Sequence, residues 1–199
     1  MIDFGPASPY PYDLRETPFF LFIALVGGLL GALFNALNAR LCRWRREVLV
    51  LPQRRKTRVA EALAICFLTA TVTYWLPAIF GACEPLPSFD DPSTPLARVD
   101  KSLGGTHADA HALYPRYRCA EGEWNPMAQY VFRGSVVCIK GMFHDEARHE
   151  VFELLTYTLA MFVLACITYG VAVPSGLFVP GILIGCGFGR LVGEIVKHQ

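Results

Sequence analysis

The stretch Gly170-Val-Ala-Val-Pro-Ser-Gly-Leu-Phe-Val-Pro-Gly-Ile-Leu-Ile-Gly185 lies inside a run of 36 residues, 154–189, that contains no Asp, Glu, Lys or Arg. As one helix of about 1.5 Å per residue, the run would measure about 54 Å, whereas the hydrocarbon core of a bilayer is about 30 Å thick. Its centre holds residues that interrupt helices, Pro174, Gly176, Pro180 and Gly181. The stretch therefore predicts a spanning helix to about residue 173, a break inside the membrane, and a half-helix that starts near residue 177.

A break at this depth is a candidate binding site, because non-helical backbone in a membrane must be buried in protein or line a polar cavity. The start of a helix exposes unpaired N–H groups and the positive end of the macrodipole, so an anion is its natural ligand. Gly176 permits close approach to the backbone, and Pro180 suits a first turn. Phe178 adds an apolar wall and Ser175 a hydroxyl group. The alternative is a helix kinked by proline, in which the glycines serve packing only.

The composition is that of a membrane protein. Of 199 residues, 53% are hydrophobic and 18% are charged, with a mean hydropathy of +0.36. A net charge of only +1 gives no indication of nucleic-acid binding. The first 16 residues do not resemble a secretory signal, since no basic region precedes an apolar core. We find no nucleophile–base pair, phosphate-binding loop or convincing metal-ligand cluster, and expect neither an enzyme nor a cofactor.

Two further uncharged runs, residues 17–39 and 62–82, are each long enough to cross a bilayer. The connection between them, residues 40–61, carries eight basic and two acidic residues. Because short cytosolic connections are enriched in Lys and Arg, we predict that this basic loop is cytosolic. A patch for nucleic acid or lipid headgroups is the alternative explanation. In chain order we expect three spans, the third at 150–173, and then the broken helix at 177–196.

Small and polar residues inside the runs suggest which helix faces contact protein. Asn35 and Asn38 are too polar for lipid-facing positions, so we expect them to face other helices. Glycines four residues apart predict stripes where helices approach closely; they are Gly27 and Gly31 in the first run, and Gly181, Gly185 and Gly189 in the last.

Residues 83–149 form one long polar loop, which the topology places on the non-cytosolic side. We expect its first half to be irregular and residues 129–142 to form short amphipathic structure. Cys83 and Cys119 are either disulfide-bonded, if the loop faces an oxidising compartment, or free. His107 and His111 are four apart, as in some metal sites, but no third ligand stands at a suitable spacing. We therefore expect solvated histidines and no metal.

The central stretch matches a known family. Gly176-Leu-Phe-Val-Pro180 and its glycine-rich continuation to residue 193 resemble the G-x-F-x-P segment of the CLC chloride channels and chloride/proton exchangers. Val26-Gly-Gly-Leu-Leu-Gly-Ala-Leu-Phe-Asn-Ala-Leu-Asn38 and Cys119-Ala-Glu-Gly-Glu-Trp-Asn-Pro-Met-Ala128 look like the eukaryotic endosomal, lysosomal and plant-vacuolar branch. The similarity extends over essentially the whole chain.

The resemblance implies an all-α membrane fold with a broken, re-entrant helix and one long extramembrane loop. It implies a homodimer in contact with lipid that transports chloride or another small anion, as a channel or an exchanger. By the same resemblance the backbone amides of Leu177 and Phe178 help to coordinate chloride, and Ser175, Gly176, Val179 and Pro180 complete the anion-binding segment. The membrane implied is endosomal, lysosomal or vacuolar.

Other family motifs do not occur in these 199 residues, among them the G-S-G-I-P loop, the G-K-E-G-P loop and the late pore tyrosine. We therefore expect a partial chain from the middle of the transmembrane domain, with no chloride flux from residues 1–199 alone. The alternatives are a truncated, non-transporting protein that only packs with full-length subunits, and a transporter of another family with its own broken helix.

Overall fold

The computed structural model describes residues 14–50, 55–85, 114–144 and 150–197, and most of these residues are helical. These described residues form six α-helices, α1 (Thr17–Arg45), α2 (Arg55–Phe80), α3 (Pro126–Phe132), α4 (Ser135–His144), α5 (Val151–Thr168) and α6 (Phe178–Lys197). A 3₁₀ turn (Leu14–Glu16) precedes α1 and a π-helical segment (Arg46–Val50) follows it. The described strands are two residues long, β1 (Glu84–Pro85) and β2 (Glu123–Trp124), and they pair antiparallel. The prediction of an all-α membrane fold is confirmed.

In the described part of the chain, four helical segments are long and apolar enough to cross a membrane, namely Thr17–Leu49, Arg55–Phe80, Val151–Thr168 and Phe178–Val196. The first two extend beyond the uncharged runs, because α1 continues to Arg45 and α2 already begins at Arg55. Residues 40–45 and 55–61, which we predicted as parts of a loop, are therefore helical. Basic residues in the last turn of α1 favour this extension, since they lie at the negative end of the helix dipole.

The described residues fall into two compact units. The loop unit contains residues 73–85, 114–144, 150–157 and 186–197. The break unit contains residues 14–50, 55–72 and 158–185, and includes the interruption between α5 and α6.

The loop unit is held together by a disulfide and by one asparagine. Cys83 and Cys119 form the disulfide that we predicted as one of two alternatives, with their Cα atoms 5.7 Å apart. Asn125 caps α3, since its Oδ1 accepts from the Ala128 N–H at 3.0 Å, while its Nδ2 donates to the Pro77 carbonyl at 3.1 Å. These contacts attach the loop to the last turns of α2, a helix that continues past Pro77 to Phe80.

Within the described part of residues 83–149, which we predicted as loop, lie the two helices α3 and α4. They cover most of residues 129–142, where we expected short amphipathic structure. Met127 and Ala128 of α3 and Ile139 of α4 are completely buried, so this part of the loop contributes to a core. His107 and His111 lie outside the described residues.

In the break unit, aromatic side chains pack α1 against α5. The Phe34 ring lies 6.3 Å from that of Phe162 and 6.2 Å from that of Tyr169, between ring centroids. The predicted glycine stripes take no part in helix contacts among the described residues, because an added Cβ would meet no atom within 4 Å at any of these positions, Gly27, Gly31, Gly181, Gly185 and Gly189. The expectation of close helix approach at the stripes is therefore wrong for this part of the chain.

Candidate anion site at the break between α5 and α6

The interruption predicted from the sequence is present. Helix α5 ends at Thr168, α6 begins at Phe178, and residues 169–177 between them are not helical. The first helix ends earlier than the predicted residue 173, because Gly170 adopts the left-handed conformation, with φ of +90°. A glycine in that conformation frequently ends a helix, because it has no Cβ that would clash with the backbone there.

The start of α6 presents unpaired backbone donors. The first hydrogen bond of the helix runs from the Gly181 N–H to the Leu177 carbonyl at 3.0 Å. The N–H groups of Leu177, Phe178 and Val179 precede that bond and have no acceptor within the helix. Pro180 is the third helical residue and lacks an N–H, so it leaves no further donor unpaired. With no acidic residue in this turn, the positive end of the dipole is not neutralised by a neighbouring carboxylate.

The six residues predicted to bind an anion lie together along this segment. Ser175 and Gly176 are exposed in the non-helical part, and the Phe178 side chain is 72% exposed at the first helical position. Leu177, Val179 and Pro180 are half-buried. A Cβ added to Gly176 would meet no described atom within 4 Å, so a ligand has room beside this backbone. The arrangement suits a small anion held by amide dipoles.

Comparison with known proteins places the chain in a family. A sequence model of the voltage gated chloride channel family matches residues 2–199. The chain belongs to this family.

Relatives within the chloride channel family align along nearly the whole chain. It is 34% identical to H(+)/Cl(-) exchange transporter 7 of Homo sapiens over 100% of its length, and 34% identical to chloride channel protein CLC-d of Arabidopsis thaliana over 93%. Chloride channel protein A of Dictyostelium discoideum is 29% identical over 98%. The chain spans 22%, 23% and 25% of these three proteins, respectively. The family resemblance is thus confirmed, and with the four apolar helices it establishes an integral, multi-pass membrane protein.

Three residues that shape the break were missing from the predicted site. Gly170 makes the turn after α5. Asn38 and Arg45 of α1 donate hydrogen bonds to backbone carbonyls at the C-terminal end of α5, including that of Tyr169. Their spacing of seven residues, two helical turns, does place them on one face of α1. However, Arg45 is one of the eight basic residues at 40–61, and we explained all of their charges by the orientation of the chain in the membrane.

Two more arginines lie beside the break. Arg55 and Arg58, in the first turns of α2, line a cleft together with Ala172 and Val173. Residues 154–189 contain no Lys or Arg. The positive charges beside the break therefore come from α2, which lies far from it in the sequence.

One group of residue types suited to metal binding is present in the described part of the chain, namely Cys83, Cys119 and Glu123. The two sulfurs are bonded to each other and therefore are not thiolate ligands. The cluster is explained by the disulfide.

Proposed function

We propose that this chain forms part of the anion pathway of a chloride channel or chloride/proton exchanger, with the first turn of α6 as one wall of the anion site. The observation that supports the proposal is a group of three backbone amides, at Leu177, Phe178 and Val179, for which the described residues supply no backbone acceptor, at a break between two membrane helices. Such donors attract an anion without a full positive charge, so the anion is released readily, as conduction requires. The names of the three relatives, an exchange transporter and two chloride channel proteins, support chloride as the anion.

The test is anion flux through the full-length protein reconstituted in liposomes. We expect chloride efflux, and we expect Phe178→Asp to reduce it at least about tenfold, because a carboxylate beside the amides repels the anion at close range. Gly176→Val should change the ratio of chloride to nitrate flux. The structure leaves room for the new side chain, so the protein should still fold. Proton movement coupled to chloride would identify an exchanger, and its absence a channel.

A matched control for these variants is Val173→Asp, which places the same carboxylate on an exposed residue of the break, outside the predicted anion-binding segment. Its flux should stay within about twofold of the wild type. Equal flux in the wild type, Phe178→Asp and Gly176→Val would contradict the assignment of the site.

We also infer a homodimer in the membrane of an endosome, lysosome or vacuole. Support comes from the family resemblance and from apolar side chains exposed along α1, such as Leu25, Leu29 and Leu33. The molecular mass of the detergent-solubilised protein checks the dimer, and fluorescence microscopy of a tagged protein checks the compartment.

A further inference from the structure

The C-terminal end of α5 has all of its last carbonyl groups hydrogen-bonded. The last carbonyls of a helix have no partner within the helix, and where they are buried they need donors from other parts of the chain. Two of them are paired by the turn itself, since the Tyr169 N–H donates to the Ala165 carbonyl at 3.0 Å and the Val171 N–H to the Thr168 carbonyl at 3.4 Å. The remaining three require donors from elsewhere.

Two side chains of α1 supply those donors. Asn38 Nδ2 donates to the carbonyls of Tyr169, at 3.0 Å, and Cys166, at 3.4 Å. Arg45 donates from Nη1 to Tyr169 at 3.0 Å and from Nη2 to Ile167 at 2.6 Å. The Tyr169 carbonyl, at the first residue of the break, thus accepts from both side chains.

Arg45 is itself fixed in place. Its side chain is 6% exposed, and its Nε forms an ion pair with Glu61 Oε1 of α2 at 2.6 Å. Three separate nitrogens of one guanidinium therefore contact two carbonyls and a carboxylate, which the planar fork of arginine permits and a lysine ammonium does not. The positive charge also lies at the negative end of the α5 dipole. Three helices, α1, α2 and α5, are connected through this one side chain.

The turn that follows is fitted against the same residues. A Cβ added to Gly170 would lie 2.5 Å from Cys42 Sγ and 3.5 Å from Arg45 Nη1. Cys42 in turn contacts Asn38, with its Sγ 3.4 Å from Oδ1. The path of the chain is thus set on both sides of the Tyr169–Gly170 bond. Seven residues further on, at Leu177, the unpaired amides of α6 begin.

We propose that Asn38 and Arg45 are positioning residues of the anion site, which hold the end of α5 and thereby set where the amides of α6 lie. This inference rests on the proposed function for its consequence in transport. It assigns Arg45 a role beyond the topology of a basic connection. It predicts that loss of either side chain changes the affinity and selectivity for anions, although neither residue belongs to the anion-binding segment.

The experiment uses the full-length protein with Asn38→Asp, which keeps the size but loses both N–H donors, and Arg45→Gln. Arg43→Gln is the matched control, because it removes the same charge from the same helix, while Arg43 is exposed and its Nε donates to Ala39 of its own helix. Hydrogen–deuterium exchange of residues 171–179 and chloride flux at graded chloride concentrations are measured on each. In both test variants we expect exchange of the segment to rise at least about fivefold and the chloride KM at least about threefold.

Arg45→Lys separates charge from geometry. We expect it to resemble Arg45→Gln, because one ammonium cannot replace contacts made by three nitrogens; recovery to wild-type KM and exchange would overturn the geometric role. If Arg45→Gln does not fold, the comparison of Asn38→Asp with Arg43→Gln still decides the outcome.

The two measurements keep the two claims apart. Unchanged exchange in Asn38→Asp and Arg45→Gln overturns the positioning role, whatever the transport result. Raised exchange with unchanged KM, in a protein whose flux responds to Gly176→Val, overturns the link to the anion site and leaves the proposed function standing. A wild-type protein without chloride flux overturns the proposed function, while exchange still reports on the end of α5.

Discussion

At the scale of single residues, the break depends on two glycines with different tasks. Gly170 adopts a backbone φ of +90° that other residues rarely adopt, and Cys42 leaves no space for a Cβ at this position. Gly176 has open space on its Cβ side and belongs to the segment predicted to bind an anion. Substitution of the first should therefore affect folding, and substitution of the second should affect transport.

We predict that Gly170→Ala destabilises the full-length protein by about 1–3 kcal/mol, the cost of a left-handed non-glycine residue, with overlap against Cys42 added. Thermal unfolding in detergent measures this, with Gly176→Ala as the control that should unfold at the wild-type temperature. Adding Cys42→Ala should recover only the part due to overlap. Equal unfolding temperatures for Gly170→Ala and Gly176→Ala would show that the turn is not strained.

At the scale of elements, the loop unit is organised by what joins α2 to α3. The Cys83–Cys119 disulfide closes a loop with a sequence separation of 36 residues. Strand β1, directly after Cys83, pairs with β2, which follows Cys119 in the chain. Asn125 adds its hydrogen bond to the Pro77 carbonyl. A chain of this length without the crosslink has far more conformations to lose on folding, so the disulfide stabilises the unit mainly by restricting the unfolded state.

We predict that the double substitution Cys83→Ser and Cys119→Ser lowers the unfolding free energy by about 3–4 kcal/mol, the loop-entropy value for such a separation. The measurement is thermal unfolding of the full-length protein without reductant. Cys66→Ser is the control, because Cys66 is an exposed free cysteine. A reductant should lower the unfolding temperature of the wild type but not of the double variant; the same shift in both would rule out this disulfide as the source.

At the scale of the whole molecule, charge sets the predicted orientation in the membrane. The basic residues between the first two spans favour the cytosol for the end of α1 and the start of α2. Residues on the two sides of α2 must then lie in different compartments, because this helix is long and apolar enough to cross the membrane once.

We predict that Arg55→Cys reacts with a membrane-impermeant thiol reagent from the cytosolic side and Asp109→Cys only from the opposite side. Arg46→Cys, an exposed position just after α1, is the control that should react together with Arg55→Cys. Protection of both Arg46→Cys and Arg55→Cys from cytosolic reagent would reverse the orientation.

The amino-acid sequence by itself determined the class of fold, the break and the family, because each depends on local patterns. The lengths of the uncharged runs indicate membrane-spanning helices, Pro and Gly interrupt helices, and Gly176-Leu-Phe-Val-Pro180 carries the family resemblance. The ends of the elements were predicted less well, since helix α1 continues through its charges to Arg45 and α5 ends at Thr168, before Gly170, instead of at residue 173.

Only the tertiary structure decided what surrounds the break. Asn38 and Arg45 are more than 120 residues from the carbonyls to which they donate, and Arg55 and Arg58 line a cleft with Ala172 and Val173. Sequence spacing places side chains on a face of their own helix, but it does not state which other helix that face meets. The predicted anion-binding segment is thus continuous in the chain. The hydrogen bonds that hold the end of α5, just before this segment, form only when α1, α2 and α5 pack together.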